Sequence, residues 1–283
     1  MRVDHRFFPV GDLRLHALHF GGEGHPIVLL HGVTGHGWLW HGVAGQLTLW
    51  GQVFALDLRG HGDSQWAADG RYDTTTLADD VAAVIEQLGE PADVVGLSWG
   101  GLVAMRLAGR HPGLVRRLAV LDIPTSFTQS SSDVPQRPYR FAGRREVLDW
   151  ERQANPRAAG PLVELVADHS VRPDAGGGLV RKHDERFITT WPFRGETYDA
   201  DWRALSCPVL LLRAADSPVL SVEQFEAMLA AQPGAEGLTI EGSGHLLPLD
   251  RPISVADALE GFLHEAALDA AVIGEAREAL DIP

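Results

Sequence analysis

One serine in this chain has neighbours that could make it a nucleophile. It lies in Gly96-Leu97-Ser98-Trp99-Gly100, between an apolar run at 92–95 that predicts the end of a buried strand and a helical repeat at 102–108. Small residues two positions before and after the serine permit a tight strand-to-helix turn, which would hold the Ser98 hydroxyl clear of the sheet. Ser98 is therefore a candidate nucleophile, although a serine that only caps the following helix would give the same local pattern.

A serine hydroxyl is a poor nucleophile at neutral pH, so it needs a base within hydrogen-bond reach and a third group that orients the base. The predicted base is His245, which follows the last predicted strand in Gly242-Ser243-Gly244-His245, where the glycines free the backbone. The predicted acid is Asp216, just after the apolar run 209–213. Asp122, at the end of the run 118–123, is the competing candidate for the same role.

Acyl transfer also needs donors for the negative charge that develops on the carbonyl oxygen. The glycine-rich stretch after the run 27–30 could present the backbone amide of Val33. The amide of Trp99 would lie at the start of the helix that follows Ser98, where N–H groups have no intrahelical partner and the helix dipole favours negative charge. We therefore predict an oxyanion hole made by the amides of Val33 and Trp99.

These residues need a sheet edge where several loops meet, and the chain has the pattern of such a sheet. Apolar runs alternate with helical repeats, and the later runs are nearly continuous in Val, Leu and Ile, which is typical of parallel strands covered on both faces. The predicted fold class is α/β, with a doubly wound, mostly parallel sheet. We predict strands at 13–20, 27–31, 53–58, 93–97, 118–123, 209–213 and 237–241, helices at 77–88, 102–110, 222–231 and 253–268, and a helical tail from about residue 269.

The alternation breaks in the middle of the chain. Residues 125–204 contain helical fragments but no convincing strand, and their large apolar side chains are too numerous for a disordered loop. We interpret this stretch as an inserted helical cap, or lid, on a core domain formed by residues 1–124 and 205–283.

Composition excludes several function classes. The chain has 283 residues, of which 24 are basic and 38 acidic, and its formal charge of −14 argues against nucleic acid as a partner. Its single cysteine, Cys207, cannot form an internal disulfide, and no Cys/His cluster has the spacing of a zinc site, so neither a metal nor another cofactor is expected. The N-terminus has no apolar signal core, and no apolar run is long enough for a membrane span. These features predict a soluble cytoplasmic protein, with no indication of its oligomeric state.

Four motifs in this chain together resemble the α/β-hydrolase superfamily. They are the oxyanion loop at 31–33, the segment Asp57-Leu58-Arg59-Gly60-His61-Gly62-Asp63-Ser64, the nucleophile turn at 96–100 and the Gly-x-Gly-His sequence at 242–245. The resemblance implies Ser98 as nucleophile, His245 as general base, Asp216 as orienting acid and the two amides named above as oxyanion donors. It also implies that His31 and His61 are structural. One departure is at the acid loop, where Arg213-Ala214-Ala215-Asp216 replaces the commoner Gly-x-x-Asp.

The implied activity is that of a serine esterase or lactonase. Haloalkane dehalogenases and epoxide hydrolases of the superfamily carry aspartate where this chain has Ser98, so those activities are not expected. Two alternatives stay open: a non-hydrolytic enzyme that uses the same residues for elimination or ring closure on a natural-product intermediate, and a small-molecule receptor that has kept the fold.

The predicted substrate pocket is aromatic. His36, Trp38 and Trp40, together with Trp99, lie near the oxyanion loop in sequence and would suit a mostly apolar, medium-sized ester or lactone. The cap also carries an arginine cluster that could hold a carboxylate or could simply form a solvated helix face. Its members are Arg137, Arg140, Arg144 and Arg145.

Overall fold

A computed structural model describes residues 2–263 of the chain. Its main element is an eight-stranded sheet with the strand order β1-β2-β4-β3-β5-β6-β10-β11, in which β1, β2 and β4 pair antiparallel and all other neighbours pair parallel. The fold class predicted from the sequence is confirmed. The strands of this sheet are β1 Asp4–Val10, β2 Leu13–Gly21, β3 Pro26–Leu30, β4 Gln52–Leu56, β5 Ala92–Leu97, β6 Val115–Leu121, β10 Val209–Ala214 and β11 Ala235–Ile240.

Helices cover both faces of the sheet. The central strands β3 and β5 are buried at every position, which explains their unbroken apolar sequences. Helices α2 and α3 pack on one face, and α1 packs with residues 252–263 on the other. The helices around the sheet are α1 His41–Leu47, α2 Thr74–Leu88, α3 Trp99–Arg110, α7 Val222–Ala231, α8 Leu247–Asp250 and the helical residues 252–263.

Among the strands of the main sheet and the helices around it, the sequence predictions missed β1, α1 and α8 and placed the others within a few residues. Strand β1 was missed because its residues are mostly exposed and partly charged, so it lacks an apolar run. Helices α1 and α8 were missed because they are short, with seven and four residues. The predicted helix at 253–268 is present as far as residue 263, and its remaining residues and the tail from 269 lie outside the described residues.

The chain between β6 and β10 leaves the main sheet and forms a structure of its own, which we call the intervening segment (residues 122–208). Contrary to the sequence prediction, it contains strands, because two short arginine-containing stretches pair through a tight turn at 174–178 rather than through an apolar face. Its aromatic side chains are buried as in an ordered structure, for example Phe187, Trp191 and Trp202. Its function as a cap stays a prediction. Its main elements are β7 Arg140–Phe141, α4 Arg144–Ala154, α5 Gly160–His169, β8 Val171–Pro173, β9 Leu179–Arg181 and α6 Asp199–Arg203, with the strand order β7-β9-β8.

The parallel strands bring distant loops to one edge. Strands β3, β5, β6, β10 and β11 run in the same direction, so the loops after their carboxyl ends meet there. All candidate site residues follow one of these strands. Across residues 2–263, no helix combines the length and the apolar character that a bilayer span requires.

Candidate active site

Ser98 lies on a strained turn between β5 and α3. Its backbone has φ 55° and ψ −127°, a conformation that side-chain-bearing residues rarely adopt. The turn is fixed by a hydrogen bond from the Ser98 amide to the carbonyl of Leu121, at 2.9 Å. A Cβ atom on Gly100 would lie 2.5 Å from the carbonyl oxygen of Leu30, so only glycine fits at that position. The local geometry is that of a serine presented on a sharp turn.

His245 contacts the carboxylate of Asp122. Its Nδ1 lies 2.8 Å from Oδ2 of Asp122, whose side chain is fully buried. The same carboxylate accepts hydrogen bonds from the amide of Ala214, at 3.0 Å, and from the hydroxyl of Ser217, at 2.6 Å. With Asp122 as the acceptor, His245 donates from Nδ1, and in the neutral ring Nε2 then has the lone pair that can take a proton.

The structure contradicts the expectation that Asp216 orients His245. Asp216 instead forms an ion pair with Arg157, at 3.1 Å, and its side chain is 57% exposed. The reason is the register of the sheet: Leu121 of β6 pairs with Leu212 of β10, so the residue after Leu121 lies beside the end of β10. Asp122 therefore occupies the position at the strand ends where its carboxylate reaches the histidine.

The predicted oxyanion donors lie on both sides of Ser98. Trp99 is the first residue of α3, and Val33 follows Gly32 in the loop after β3. A Cβ atom on Gly32 would lie 2.9 Å from the Cβ of Ser98, so the loop packs directly against the serine. The indole of Trp99 is buried away from the cavity and donates to the hydroxyl of Thr74 at 3.0 Å. The binding of an oxyanion by these two amides stays a prediction.

Two buried histidines fix the loop after β3. His31 accepts a hydrogen bond from the amide of Leu58 at 3.0 Å, and His61 accepts one from the amide of Thr34 at 3.1 Å. Each ring also bonds a backbone carbonyl through Nδ1, so each imidazole is a neutral donor and acceptor. Burial lowers the pKa of both rings. Both histidines have the environment of structural residues, as the sequence resemblance implied.

Asp57 organises the neighbouring turn. Its carboxylate bonds the ring of His16 at 2.7 Å and accepts from the amides of Gly37 and Asp63 at 2.6 and 2.8 Å. Together with Asp63, Asp57 and His16 could supply three metal ligand atoms within 4.8 Å of one another. The hydrogen bonds already satisfy the Asp57 carboxylate, which favours a structural role for this group.

Ser98 and His245 both line a cavity of about 800 Å³ between the sheet edge and the intervening segment. Val33 and His36 also line it, as the sequence predicted for His36. Within the described residues His36 has no hydrogen-bond partner on either ring nitrogen, and burial lowers its pKa to about 3. The cavity is large enough for a small organic substrate.

The prediction that Trp38 and Trp40 line this pocket is wrong. Both belong to a short 3-10 helix, Gly37–Trp40. Their side chains pack with the hydrophobic cluster that α1 forms on its face of the sheet. Trp40 is fully buried, and Trp38 stacks on His169 with 3.9 Å between ring centroids. The aromatic side chains of the cavity come from the intervening segment instead. The sequence analysis noted the large apolar side chains of this segment but did not assign them to the pocket. They are Phe127, Trp150, Trp191 and Phe193.

The four arginines singled out in the sequence have different environments. Arg140 pairs with Asp174, and Arg144 and Arg145 lie at the start of α4, where they pair with acidic residues on the surface. These three arginine side chains lie on the solvated surface of the segment. Arg137 is different because it lines the cavity.

Comparison with known proteins identifies relatives that match most of the chain. The family model described as "Alpha/beta hydrolase family" matches residues 27–258. Lipase LipV of Mycobacterium tuberculosis is 44% identical over 261 residues, which cover 88% of this chain and 97% of that protein. (E)-2-((N-methylformamido)methylene)succinate hydrolase of Acinetobacter baylyi is 29% identical over 252 residues, covering 86% and 91%.

A solved structure shows the same architecture. The crystal structure of esterase Rv0045c from Mycobacterium tuberculosis superimposes with a TM-score of 0.78 at 27% identity, covering 93% of this chain and 92% of that one. In sequence that esterase is 29% identical over 259 residues, with 87% and 85% of the two chains covered. These relatives are named esterase, lipase or hydrolase. Together with the sheet topology and the turn that carries Ser98, the matches show that this chain belongs to the alpha/beta hydrolase family.

Proposed function

We propose that this protein is a serine hydrolase that cleaves a carboxylic ester or lactone through Ser98, His245 and Asp122. The observation that carries the proposal is the contact between His245 and the buried carboxylate of Asp122, with Ser98 lining the same cavity as the histidine. Asp122 takes the role that the sequence resemblance gave to Asp216. A buried carboxylate that fixes one tautomer of a histidine beside a serine is the arrangement that activates serine in acyl transfer.

In the proposed reaction the hydroxyl oxygen of Ser98 attacks the carbonyl carbon of the ester. Nε2 of His245 takes the serine proton, while Asp122 stabilises the imidazolium that forms. The amides of Val33 and Trp99 donate to the oxyanion, and each such donor typically contributes about 3 kcal/mol to transition-state stabilisation. The imidazolium then gives its proton to the leaving alcohol, and a water activated by His245 hydrolyses the acyl-enzyme.

The intervening segment supplies much of the substrate cavity, which supports a role for residues 125–204 as a cap. Phe127, Trp150 and Phe193 give the cavity apolar walls that suit the hydrocarbon part of an ester. The relatives act, by their names, on substrates as different as lipids and a substituted succinate. The cap is therefore the part of this chain to which we assign substrate choice.

A fluorophosphonate probe tests the role of Ser98 without knowledge of the substrate. We expect the probe to label the native protein and Ser98→Ala to abolish labelling, with His245→Ala slowing it strongly. Ser126→Ala is the matched control, because Ser126 lines the same cavity and is exposed; it should label normally. Absence of labelling in the native protein would favour a receptor. Incorporation of oxygen from labelled water into an acid product would separate hydrolysis from elimination or ring closure.

A further inference from the structure

The substrate cavity has a charge opposite to that of the protein. The chain carries a formal charge of −14, yet the charged side chains that line this cavity are three arginines and one glutamate, apart from histidines. The glutamate, Glu151, is already paired with Arg181 at 2.5 Å. Arg137 and Arg194 thus remain as cavity arginines that form no ion pair with any residue in 2–263.

Arg137 reaches from the intervening segment to the oxyanion loop. Its Nη1 donates to the hydroxyl of Thr34 at 2.9 Å, and Thr34 directly follows Val33. A guanidinium has five N–H donors, so this contact leaves most of them for a ligand. Arg137 is exposed to solvent, although the protein around it displaces part of its hydration and lowers its pKa.

Arg194 lies next to the same position. Its guanidinium carbon is 4.5 Å from the ring centroid of Trp191, and that of Arg137 is 5.8 Å from the same centroid. Arg194 also donates to the backbone carbonyl of Asp133. The carboxylate of Glu151 acts electrostatically on Arg137, and that of Asp133 acts on Arg194, but neither forms an ion pair with these arginines. The two guanidinium groups around one indole can therefore still attract an anion.

We propose that Arg137 binds a carboxylate of the substrate, with Arg194 strengthening the positive potential around it. The inference rests on the proposed function, because it assigns a substrate class to the same site: an ester or lactone that carries a free carboxylate. Because Arg137 bonds the residue after Val33, the carboxylate would lie next to the oxyanion loop and close to the reacting carbonyl. The cation that selects the substrate is therefore on the cap, and the reacting groups are on the sheet.

Binding to a protein that cannot turn over tests this inference separately from catalysis. In Ser98→Ala, calorimetry would compare monomethyl adipate, which carries one carboxylate, with dimethyl adipate, which carries none. We expect the monoanion to bind at least tenfold more tightly, since hydrogen bonds to charged groups typically change affinity by about ten- to a hundredfold. Adding Arg137→Gln should remove this preference, and adding Arg194→Gln should reduce it.

Arg140→Gln is the matched control, because Arg140 belongs to the same segment but pairs with Asp174 on the surface. It should leave the preference unchanged, and thermal unfolding would verify that each variant is folded. Equal affinity for the two ligands, or a preference that survives Arg137→Gln, would overturn the carboxylate site. Either result leaves the probe labelling of Ser98 unaffected, so a failure here is distinguishable from a failure of the hydrolase mechanism.

Discussion

The carboxylate of Asp122 lies 2.8 Å from Nδ1 of His245, and it is held there by one donor at the end of the neighbouring strand β10 and one in the loop that follows it. These donors are the amide of Ala214 and the hydroxyl of Ser217. The end of β10 and the loop after it therefore position the acid, although the acid itself comes from the end of β6.

We predict that Asp122→Asn lowers kcat by roughly 10⁴-fold, because an amide can no longer favour the histidine tautomer that accepts the serine proton. Steady-state kinetics with a 4-nitrophenyl ester would measure the loss. Asp216→Asn is the control and should change kcat by less than about threefold, since its ion pair with Arg157 lies on the surface. A larger loss for Asp216→Asn than for Asp122→Asn would contradict the assignment.

Gly32→Ala should impair catalysis more than folding. The added methyl carbon would lie 2.9 Å from the Cβ of Ser98, so either the serine or the oxyanion loop must move. Displacements of this kind at a reacting group cost up to about a hundredfold in rate, and we expect a loss of kcat in that range. Gly109→Ala, in the exposed part of α3, has room for its methyl group and should keep full activity. Equal kinetics for the two variants would argue against the tight contact.

The imidazole of His36, which has no hydrogen-bond partner among residues 2–263, should make the protein less stable in acid. The pKa of His36 is about 3 in the folded state, against 6.5 for a free histidine. Between these values the unfolded chain binds a proton that the folded chain does not, so stability falls as pH decreases from 6.5. This group contributes a slope of about 1.4 kcal/mol per pH unit.

Replacement of the imidazole by a phenyl ring tests this slope. In His36→Phe we expect the slope of unfolding free energy between pH 4 and 6 to decrease by about 1.4 kcal/mol per unit, as measured by urea unfolding. Leu39→Met changes a neighbouring cavity side chain that does not titrate, so it should shift the stability without altering its pH slope. Parallel curves for the native protein and His36→Phe would refute the role of this imidazole.

Acyl-chain preference should depend on the intervening segment rather than on the tryptophans near the oxyanion loop. Trp150 lines the cavity, so we expect Trp150→Ala to raise KM for 4-nitrophenyl octanoate about tenfold through lost apolar contact, with a smaller effect for the butyrate. Trp38 stacks on His169 outside the cavity, and Trp38→Ala should not change the ratio of the two KM values. If Trp38→Ala changed this ratio and Trp150→Ala did not, the result would support the pocket lined by Trp38 that the sequence predicted.

The sequence was most informative where short-range chemistry decides the structure. The glycines around Ser98 and before His245 encode their turns locally, so both residues could be assigned to the sheet edge without coordinates. The choice between Asp122 and Asp216 depends on the pairing of β6 with β10, two strands far apart in the chain, and no local pattern reports that register. The positions of Trp38 and Trp40 depend likewise on the direction in which one short helix packs.

The ion pair between Arg157 and Asp216 is sensitive to dissolved salt in a way that the contact between His245 and Asp122 is not. The pair links the intervening segment to the loop after β10. Arg157 also lies close to His245, because a Cβ atom on the adjacent Gly244 would be 3.0 Å from Nη1 of Arg157. Both partners are about half exposed, so dissolved salt screens their attraction, whereas it cannot reach the buried Asp122. Rising ionic strength therefore weakens this surface link between the intervening segment and the loop after β10, and it leaves the contact between His245 and Asp122 largely unchanged.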